Sequence, residues 1–378
     1  MYPRLLLKTL RERLSSGKIV VLYGARQVGK STLIAEVLKD YPGKVLRVNA
    51  DARKYVDVFE SLDPDKIRQL VAGYDLVFID EAQRIREAGL ALKILHDEIP
   101  EVRVVVSGSS SLELANYIRE PLTGRTLTST LYPLAFCELA AAGANAFELA
   151  GKLEDALIFG LYPAVFTAKS RTAKEDLLSE LASSYLYRDV LALEGVKNPK
   201  ALDKMLRLLA YQVGNEVSVN ELAGQLGLSA PTADRYLRLL EQSFVVFRVS
   251  GFSRNLRKEV TKMDKIYFYD TGVRNAVIDD LRPLDVRGDV GQLWENFLVA
   301  ERRKLIEYKR WRTRQHFWRV SSGAEVDYVE ASAGKLEAWE FKWTKPAHKA
   351  PAGFTTTYPD ARFSWVNREN FVPFVTGA

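Results

Sequence analysis

Nine consecutive residues near the start of the chain have the types and spacing of a loop that binds phosphate groups. They match the pattern G-x-x-x-x-G-K-[ST] and comprise Gly24, Ala25, Arg26, Gln27, Val28, Gly29, Lys30, Ser31 and Thr32. Glycines let the backbone approach a phosphate closely, so that its N–H groups point at the anion. We expect Lys30 to reach the β- and γ-phosphates of a nucleotide and the Ser31 hydroxyl to ligate Mg²⁺. The loop therefore predicts ATP and Mg²⁺ as cofactors.

Two adjacent carboxylates follow an apolar segment further along the chain, which is the Walker B pattern. Asp80 is expected to hold Mg²⁺ through its water shell, and Glu81 to polarise the attacking water. The alternative is a solvated strand end. Ser107 and Ser109 follow another apolar segment and are candidate sensors of the γ-phosphate, with simple turn chemistry as the alternative.

The segments around these residues alternate between strand and helix patterns. An apolar, β-branched run predicts a strand over residues 19–23, and an amphipathic pattern predicts a helix over residues 32–38. Further strands are predicted over residues 44–49, 75–81 and 102–106, with a helix over residues 90–99. This alternation indicates an α/β fold with a mainly parallel sheet, whose ligands bind at the carboxyl ends of the strands.

Length and composition restrict the class of protein. The 378 residues suggest two or three domains, and the net charge of +6 permits nucleic-acid binding without demonstrating it. Cys137 is the single cysteine, which excludes an internal disulfide and favours a cytoplasmic location. No apolar run is long enough to span a bilayer, so we expect no membrane partner.

Residues 219–240 have the spacing of a helix-turn-helix. Small Ala223, Gly227 at the turn and Ser229 as an N-cap precede a second helix over residues 230–240. A strand pattern over residues 244–249 follows, which predicts a winged helix. Such a helix fits a major groove, so DNA is an expected partner, although winged helices also serve as packing modules.

Several short motifs together resemble a prokaryotic family of AAA+-like ATPases whose second half is a domain of unknown function. They are Pro3-Arg4, the phosphate-binding loop, and residues 80–84, 107–110, 122–125 and 131–138. The resemblance implies ATP hydrolysis, a helical lid and an arginine that stabilises the transferred phosphoryl group in cis or from a neighbouring subunit. Arg125 is the first candidate and Arg119 the second, which makes a homo-oligomer an open expectation; a solvated charge is the alternative.

The C-terminal part resembles the PD-(D/E)xK nuclease superfamily. Glu295 lies in a helical pattern over residues 291–308, Asp327 in a strand, and Glu340 and Lys342 in a second strand whose alternation places them on one face. The resemblance implies that Asp327 and Glu340 share Mg²⁺, supported by Glu295, while Lys342 positions or deprotonates a water. The alternative is an Asp/Glu/Lys network that holds a scaffold together.

A basic and aromatic segment lies between these elements and suits a phosphate backbone, with a solvated charged face as the alternative. Its residues are Arg302, Arg303, Lys304, Tyr308, Lys309, Arg310, Trp311, Arg312, Arg314, Phe317, Trp318 and Arg319.

Four domains are expected: a P-loop ATPase domain (1–135), a helical connector or lid (136–198), a winged helix-turn-helix (199–255) and a nuclease-like domain (256–378). Together they predict a Mg²⁺-dependent ATPase that couples its nucleotide state to DNA binding or processing. The rival interpretation is a nucleotide-dependent switch whose inactive nuclease-like domain binds a protein.

Overall fold

The computed structural model describes residues 2–108, 122–185, 196–253, 263–320, 323–344 and 349–378. The chain forms two compact units. The first contains Pro3–Pro133 and Gln242–Phe244, and the second contains Leu134–Glu241 and Val245–Ala378. The expected boundary near residue 135 therefore falls close to a division of the structure. The further division of the second half stays a prediction.

A five-stranded sheet with all neighbours parallel forms the centre of the first unit, in the order β2-β3-β4-β1-β5. Its strands are β1 (Ile19–Tyr23), β2 (Val45–Asn49), β3 (Leu76–Asp80), β4 (Arg103–Gly108) and β5 (Thr126–Thr130). Every residue of β1 is buried, as its apolar sequence predicts for a central strand. The predicted α/β fold with a parallel sheet is confirmed.

Helices cover this sheet. They are α1 (Leu6–Leu14), α2 (Lys30–Leu38), α3 (Arg53–Glu60), α4 (Pro64–Val71) and α5 (Ala88–Glu98). Val21, Ile79 and Val106 from the strands share one core with Phe59 of α3 and Leu92 of α5. Because α2 directly follows the loop after β1, the start of α2 lies at the carboxyl end of the sheet.

The second unit contains a seven-stranded mixed sheet in the order β12-β11-β10-β9-β7-β8-β6. Its strands are β6 (Glu216–Val217), β7 (Val246–Gly251), β8 (Asp264–Phe268), β9 (Arg314–Arg319), β10 (Glu325–Ser332), β11 (Lys335–Phe341) and β12 (Arg362–Val366). Strands from the expected winged helix (β6 and β7) thus belong to the same sheet as those of the expected nuclease-like domain. The two sets of strands are joined by the antiparallel pairings of β6 and β7 with β8 and by the parallel pairing of β7 with β9, where Ser250 lies opposite His316.

Helices supply the rest of the second unit. They are α6 (Phe136–Ala141), α7 (Ala146–Gly151), α8 (Leu153–Phe159), α9 (Pro163–Thr167), α10 (Arg171–Glu180), α11 (Pro199–Tyr211), α12 (Val219–Leu226), α13 (Ala230–Gln242), α14 (Thr271–Val277), α15 (Val290–Tyr308), α16 (Ala352–Thr357) and α17 (Phe371–Thr376). In the predicted helix-turn-helix, α12 is followed by Gly227, which has the left-handed conformation (φ 64°). Ala233, Leu237 and Leu240 of α13 are buried. No helix in the described ranges combines the length and apolar character needed to cross a membrane.

Candidate functional site

The phosphate-binding loop connects β1 to α2 and is held by its own lysine. Lys30 is the first residue of α2 and is buried, and its Nζ donates to the carbonyl oxygens of Gly24 and Ala25, both at 2.9 Å. Gly29 has a φ of 98°, which favours glycine. A Cβ on Gly24 would collide with the carbonyl oxygen of Leu131. The loop therefore presents backbone N–H groups and one ammonium at a helix N-terminus, as an anion site requires.

The Asp80 carboxylate joins the loop to the neighbouring strand end. The Ser31 hydroxyl donates to Asp80 Oδ2 at 2.8 Å, and the Ser107 hydroxyl donates to Asp80 Oδ1. The structure thus brings Ser107 beside the predicted metal-holding aspartate, while the other candidate sensor, Ser109, lies outside the described residues. Hydroxyl and carboxylate oxygens are the donors that Mg²⁺ prefers, so Ser31 and Asp80 fit this ion.

Glu81 faces the same cavity as the loop. This cavity has a volume of about 470 Å³ and is lined by Arg26, Gln27, Gly29, Lys30, Ser31, Thr32, Asp51, Glu81 and Arg84. The backbone of Glu81 is in the left-handed region (φ 54°), a conformation that few non-glycine residues adopt. Its carboxylate accepts a hydrogen bond from the Gln83 amide. Lys30, Ser31 and Glu81 therefore line one cavity, as their predicted roles require.

Two arginines near the loop have contacts that the sequence did not predict. Arg4 donates to the carbonyl oxygens of Val28 (2.8 Å) and Tyr132 (2.6 Å) and so ties the loop to the segment after β5. Arg84 lines the cavity, and its Nε lies 3.5 Å from Asp51. Both residues belong to the motifs that carried the family resemblance. The family resemblance therefore drew attention to Arg4 and Arg84 in the sequence, although it did not indicate which groups they contact.

Arg125 lies at the far end of the sheet from the loop. Its carbonyl accepts from the Ile19 N–H at 2.9 Å, so Arg125 flanks the amino end of β1, whereas the loop follows the carboxyl end. The five residues of β1 separate the two positions by about 17 Å. The guanidinium is bound by both Asp97 carboxylate oxygens, at 2.8 and 2.9 Å. The structure thus argues against Arg125 acting on the nucleotide of its own chain. Action on a neighbour stays a prediction, and Arg119 lies outside the described residues.

The predicted carboxylate–lysine residues of the C-terminal part lie on one face of the β10–β11 hairpin. Tyr328 pairs with Trp339, which places Asp327 across from Glu340 as the sequence predicted. Lys342 Nζ lies 2.6 Å from Glu340 and 3.9 Å from Asp327. Burial, together with the charges of Glu295 and Glu340, raises the pKa of Asp327 to about 8.

The same cluster contains a buried lysine, Lys265, that was not predicted from the sequence. Lys265 Nζ lies 3.0 Å from Glu295 and 2.5 Å from Glu325. Burial lowers the pKa of Lys265, but the charges of Glu295, Glu325 and Asp327 outweigh that effect and raise it above its ordinary value. The described residues contain no group of three His, Cys, Asp or Glu side chains arranged to hold a metal. Lys265 pairs with Glu295, whereas Asp327 and Glu340 lie across from each other on the hairpin. Metal binding by Glu295, Asp327 and Glu340 stays a prediction.

Much of the basic and aromatic segment is packed inside the second unit. Arg302 is buried in an ion pair with Glu330 at 2.7 Å, and Lys304 in one with Glu301 at 2.7 Å. Tyr308, Phe317 and Trp318 are also buried. The expectation that the whole segment faces a phosphate backbone is corrected accordingly. The exposed members are Lys309, Arg310, Trp311, Arg312, Arg314 and Arg319.

Acidic neighbours offset part of the positive charge of the predicted DNA-reading helix. Arg235 and Arg238 of α13 are exposed, as expected. Asp234 on the same helix forms ion pairs with Arg238 and with Arg248 of β7, the latter at 3.1 Å. The outward face of α13 is therefore less basic than its arginines alone suggest.

The parallel sheet, the phosphate-binding loop and the acidic residue at the end of β3 define an AAA+-like P-loop ATPase. Residues 16–140 match the family described as "AAA domain". Residues 150–283 match "Domain of unknown function (DUF8612)", and residues 290–374 match "Domain of unknown function (DUF4143)". The chain is similar in fold to the Walker-type ATPase paby2304 of Pyrococcus abyssi, with a TM-score of 0.50, 16% identity and coverage of 74% of this chain and 96% of that one.

Two relatives extend the similarity over most of the chain. The uncharacterized protein Rv2008c of Mycobacterium tuberculosis is 32% identical over 340 residues, which cover 89% of this chain and 72% of the relative. The uncharacterized protein MJ1544 of Methanocaldococcus jannaschii is 23% identical over 337 residues, covering 84% of this chain and 73% of the relative. The chain belongs to the family of the Mycobacterium tuberculosis protein.

Proposed function

We propose that the first unit binds and hydrolyses ATP in a Mg²⁺-dependent reaction. The observation that carries this proposal is the pair of hydrogen bonds from Ser31 and Ser107 to Asp80 beside the cavity that Lys30 and Glu81 line. Ser31 and Asp80 would hold Mg²⁺, which neutralises charge on the phosphates when it is bound. Lys30 exchanges its two carbonyl partners for phosphate oxygens, and Glu81 orients and polarises the attacking water.

Two variants test this assignment. Lys30→Ala should abolish tight ATP binding, because it removes the ammonium of the loop. Glu81→Gln should bind ATP but lose hydrolysis, because it removes the base and leaves Asp80 and Ser31 in place. Lys39→Ala, on an exposed lysine just beyond α2, is the matched control. Fluorescent-nucleotide titration and phosphate release measure the two properties. Unchanged turnover in Glu81→Gln would refute the role of Glu81.

We further propose that nucleotide state controls how the second unit engages DNA. The helix-turn-helix order of α12 and α13 and the exposed cations of the basic segment support this proposal. Affinity for duplex DNA should differ between Glu81→Gln with ATP and the wild type with ADP, and it should fall steeply with salt. A DNA affinity that changes with neither the bound nucleotide nor the salt concentration would argue for the protein-binding switch instead.

The position of Lys265 favours a second unit that binds nucleic acid without cleaving it. An ammonium between Glu295 and Glu325 supplies the positive charge that a divalent ion supplies to such carboxylates elsewhere. We infer that the cluster is a scaffold network and that the nuclease-like site is inactive. Incubation of the protein with Mg²⁺ or Mn²⁺ and labelled DNA or RNA tests this inference. Cleavage that disappears in Asp327→Asn would overturn it.

A further inference from the structure

One end of the C-terminal sheet contains a groove made of two adjoining cavities. The first has a volume of about 640 Å³ and the second about 590 Å³. Both are lined by Trp311, Thr313, Ser332, Gly334, Lys335 and Leu336, so a ligand that spans them passes these residues. We call this surface the Trp311 groove.

The strand registers explain why the groove forms at this place. Arg314 at the start of β9 pairs with Ala331 near the end of β10, and Lys335 at the start of β11 pairs with Ser332. Arg362 at the start of β12 pairs with Glu337 of β11. Four neighbouring strand ends thus present their side chains at the same end of the sheet.

Positive charge predominates in the groove. Its exposed cations are Arg312, Arg314, Lys335 and Arg362, against the carboxylates of Glu337 and Asp360 and the internally neutralised pair Arg302–Glu330. Within the described part of the chain, Arg312, Lys335 and Arg362 form no ion pair, and Lys309 and Arg310 directly precede Trp311. Cations of this kind gain most from an anionic ligand, because no protein carboxylate has to be displaced.

An exposed indole lies among these cations. Trp311 is 39% exposed although it is a large aromatic side chain, and the Arg302 guanidinium lies 5.1 Å from its ring centre. Aromatic rings in a basic groove stack on bases that are not already stacked in a duplex. This combination fits a single-stranded nucleic acid better than an acidic peptide, because every nucleotide brings a flat ring to stack and the Asp and Glu side chains of a peptide have none.

We propose that the Trp311 groove binds single-stranded nucleic acid, with phosphates on Arg312, Lys335 and Arg362 and a base on Trp311. This deepens the proposed DNA engagement, on which it rests, and locates the contact away from α13. The groove is also separate from the Asp327 cluster, since Asp327 and Ser332 lie about 17 Å apart along β10.

The test uses fluorescence anisotropy of a labelled twelve-nucleotide thymidine strand with the full chain and five variants, one of which combines Arg235→Ala and Arg238→Ala on α13. The charge variant combines Arg312→Ala, Lys335→Ala and Arg362→Ala, and its control combines Lys169→Ala, Lys197→Ala and Lys200→Ala on exposed lysines elsewhere in the second unit. The stacking variant is Trp311→Leu, and its control is Trp365→Leu, at a tryptophan that is 38% exposed. Unchanged circular dichroism and thermal unfolding show that each variant is folded.

The two kinds of variant should differ in their salt dependence. The charge variant should lower the slope of log affinity against log salt by about 2, since each phosphate contact on a single strand contributes about 0.7. Trp311→Leu should weaken binding at least about fivefold and leave that slope unchanged. Both controls should bind like the wild type.

Three results would overturn the proposal. Wild-type protein that does not bind the strand, or groove variants that bind as well as their controls, would remove the groove as a nucleic-acid site. If binding is lost only in the double variant Arg235→Ala/Arg238→Ala, the contact is assigned to α13, and the broader DNA proposal still stands. Equal competition by a ten-residue polyglutamate would identify an acidic protein as the ligand. ATP hydrolysis is measured separately, so its failure is distinguishable from failure of the groove.

Discussion

Arg84 lines the same cavity as Lys30 and Glu81, and unlike Arg26 and Lys30, the other cations of that cavity, it lies outside the phosphate-binding loop. Its contact with Asp51 at 3.5 Å joins two side chains that are 56% and 59% exposed, so little free energy holds it there. A phosphate in the cavity should therefore attract Arg84 away from Asp51. We infer that Arg84 supplies in cis the charge that Arg125 is too distant to supply.

Arg84→Ala should accordingly lower kcat for ATP by roughly 10- to 1000-fold with a smaller change in ATP affinity, because the charge acts on the transferred phosphoryl group. Steady-state kinetics and nucleotide titration measure both quantities. Arg47→Ala, at an exposed position of β2 outside the cavity, is the control. A kcat equal to that of the control would show that Arg84 is a surface residue with no role in ATP hydrolysis.

Asp327 makes the stability of the second unit depend on pH. Burial and neighbouring carboxylates raise its pKa from 3.8 to about 8, so the folded state binds a proton that the unfolded state has released between these values. The contribution of Asp327 to the free energy of unfolding is therefore complete below about pH 4 and is lost as the pH rises toward 8. Asp327→Asn should flatten that part of the pH profile, since an amide oxygen still accepts from the Phe341 N–H, a bond of 2.7 Å in the wild type. Urea unfolding across this pH range provides the measurement, and an identical slope in the variant would contradict the prediction.

Among the structural elements, the phosphate-binding loop depends on a segment distant in the sequence. Arg4 ties Val28 to Tyr132, and Gly24 packs against the Leu131 carbonyl, so both ends of the loop are fixed by residues 131–132. A loop held in this way is preorganised for phosphate and loses less entropy on binding.

Arg4→Ala should therefore weaken ATP binding and reduce the unfolding free energy of the first unit by about 1–3 kcal/mol, the usual effect of losing charged hydrogen bonds. Arg4→Lys should recover only part of either loss, because an ammonium lacks the planar fork of donors. Arg11→Ala, which removes an exposed pair with Asp40, should change stability by less than about 1 kcal/mol. Equal effects of Arg4→Ala and Arg11→Ala would contradict the bridging role.

The sequence predicted elements with a strong periodic pattern and missed those without one. The run over 19–23, the glycine loop and the helix after it follow from local chemistry, and the pairing of Asp327 with Glu340 followed from counting across a short turn. Strand β5 has the sequence Thr-Leu-Thr-Ser-Thr and became a strand only because β1 pairs with it, which no local pattern reveals. Lys265 was missed for the same reason. Its partner Glu295 is on a helix distant in the sequence, and only the folded sheet and helix bring them together.

At the scale of the whole molecule, action of Arg125 on a neighbouring subunit would require a particular kind of assembly. The phosphate-binding loop is at the carboxyl ends of the parallel strands, and Arg125 is at their amino ends. Surfaces at opposite ends of one subunit meet in a head-to-tail contact, which generates rings or filaments. Hydrogen bonds from Arg125 lower the pKa of Asp97 to about 2, so the pair loses its stabilising effect only as pH falls through that value. Near neutral pH, Asp97 therefore stays ionised beside Arg125, and phosphates held by a neighbouring subunit would have to compete with it for the guanidinium.

A mixing experiment tests this assembly. Arg125→Ala subunits have an intact loop and Glu81, whereas Glu81→Gln subunits have an intact Arg125. If Arg125 acts on a neighbour, each variant alone should hydrolyse ATP poorly, and a mixture should recover part of the activity, because some interfaces pair an intact Glu81 with an intact Arg125. Replacing the Glu81→Gln partner with the double variant Glu81→Gln/Arg125→Ala should abolish this recovery, which separates complementation from simple dilution. Light scattering on the same samples reports the mass. Activity strictly proportional to protein at every dilution, with a monomeric mass, would show that Arg125 serves only to hold Asp97.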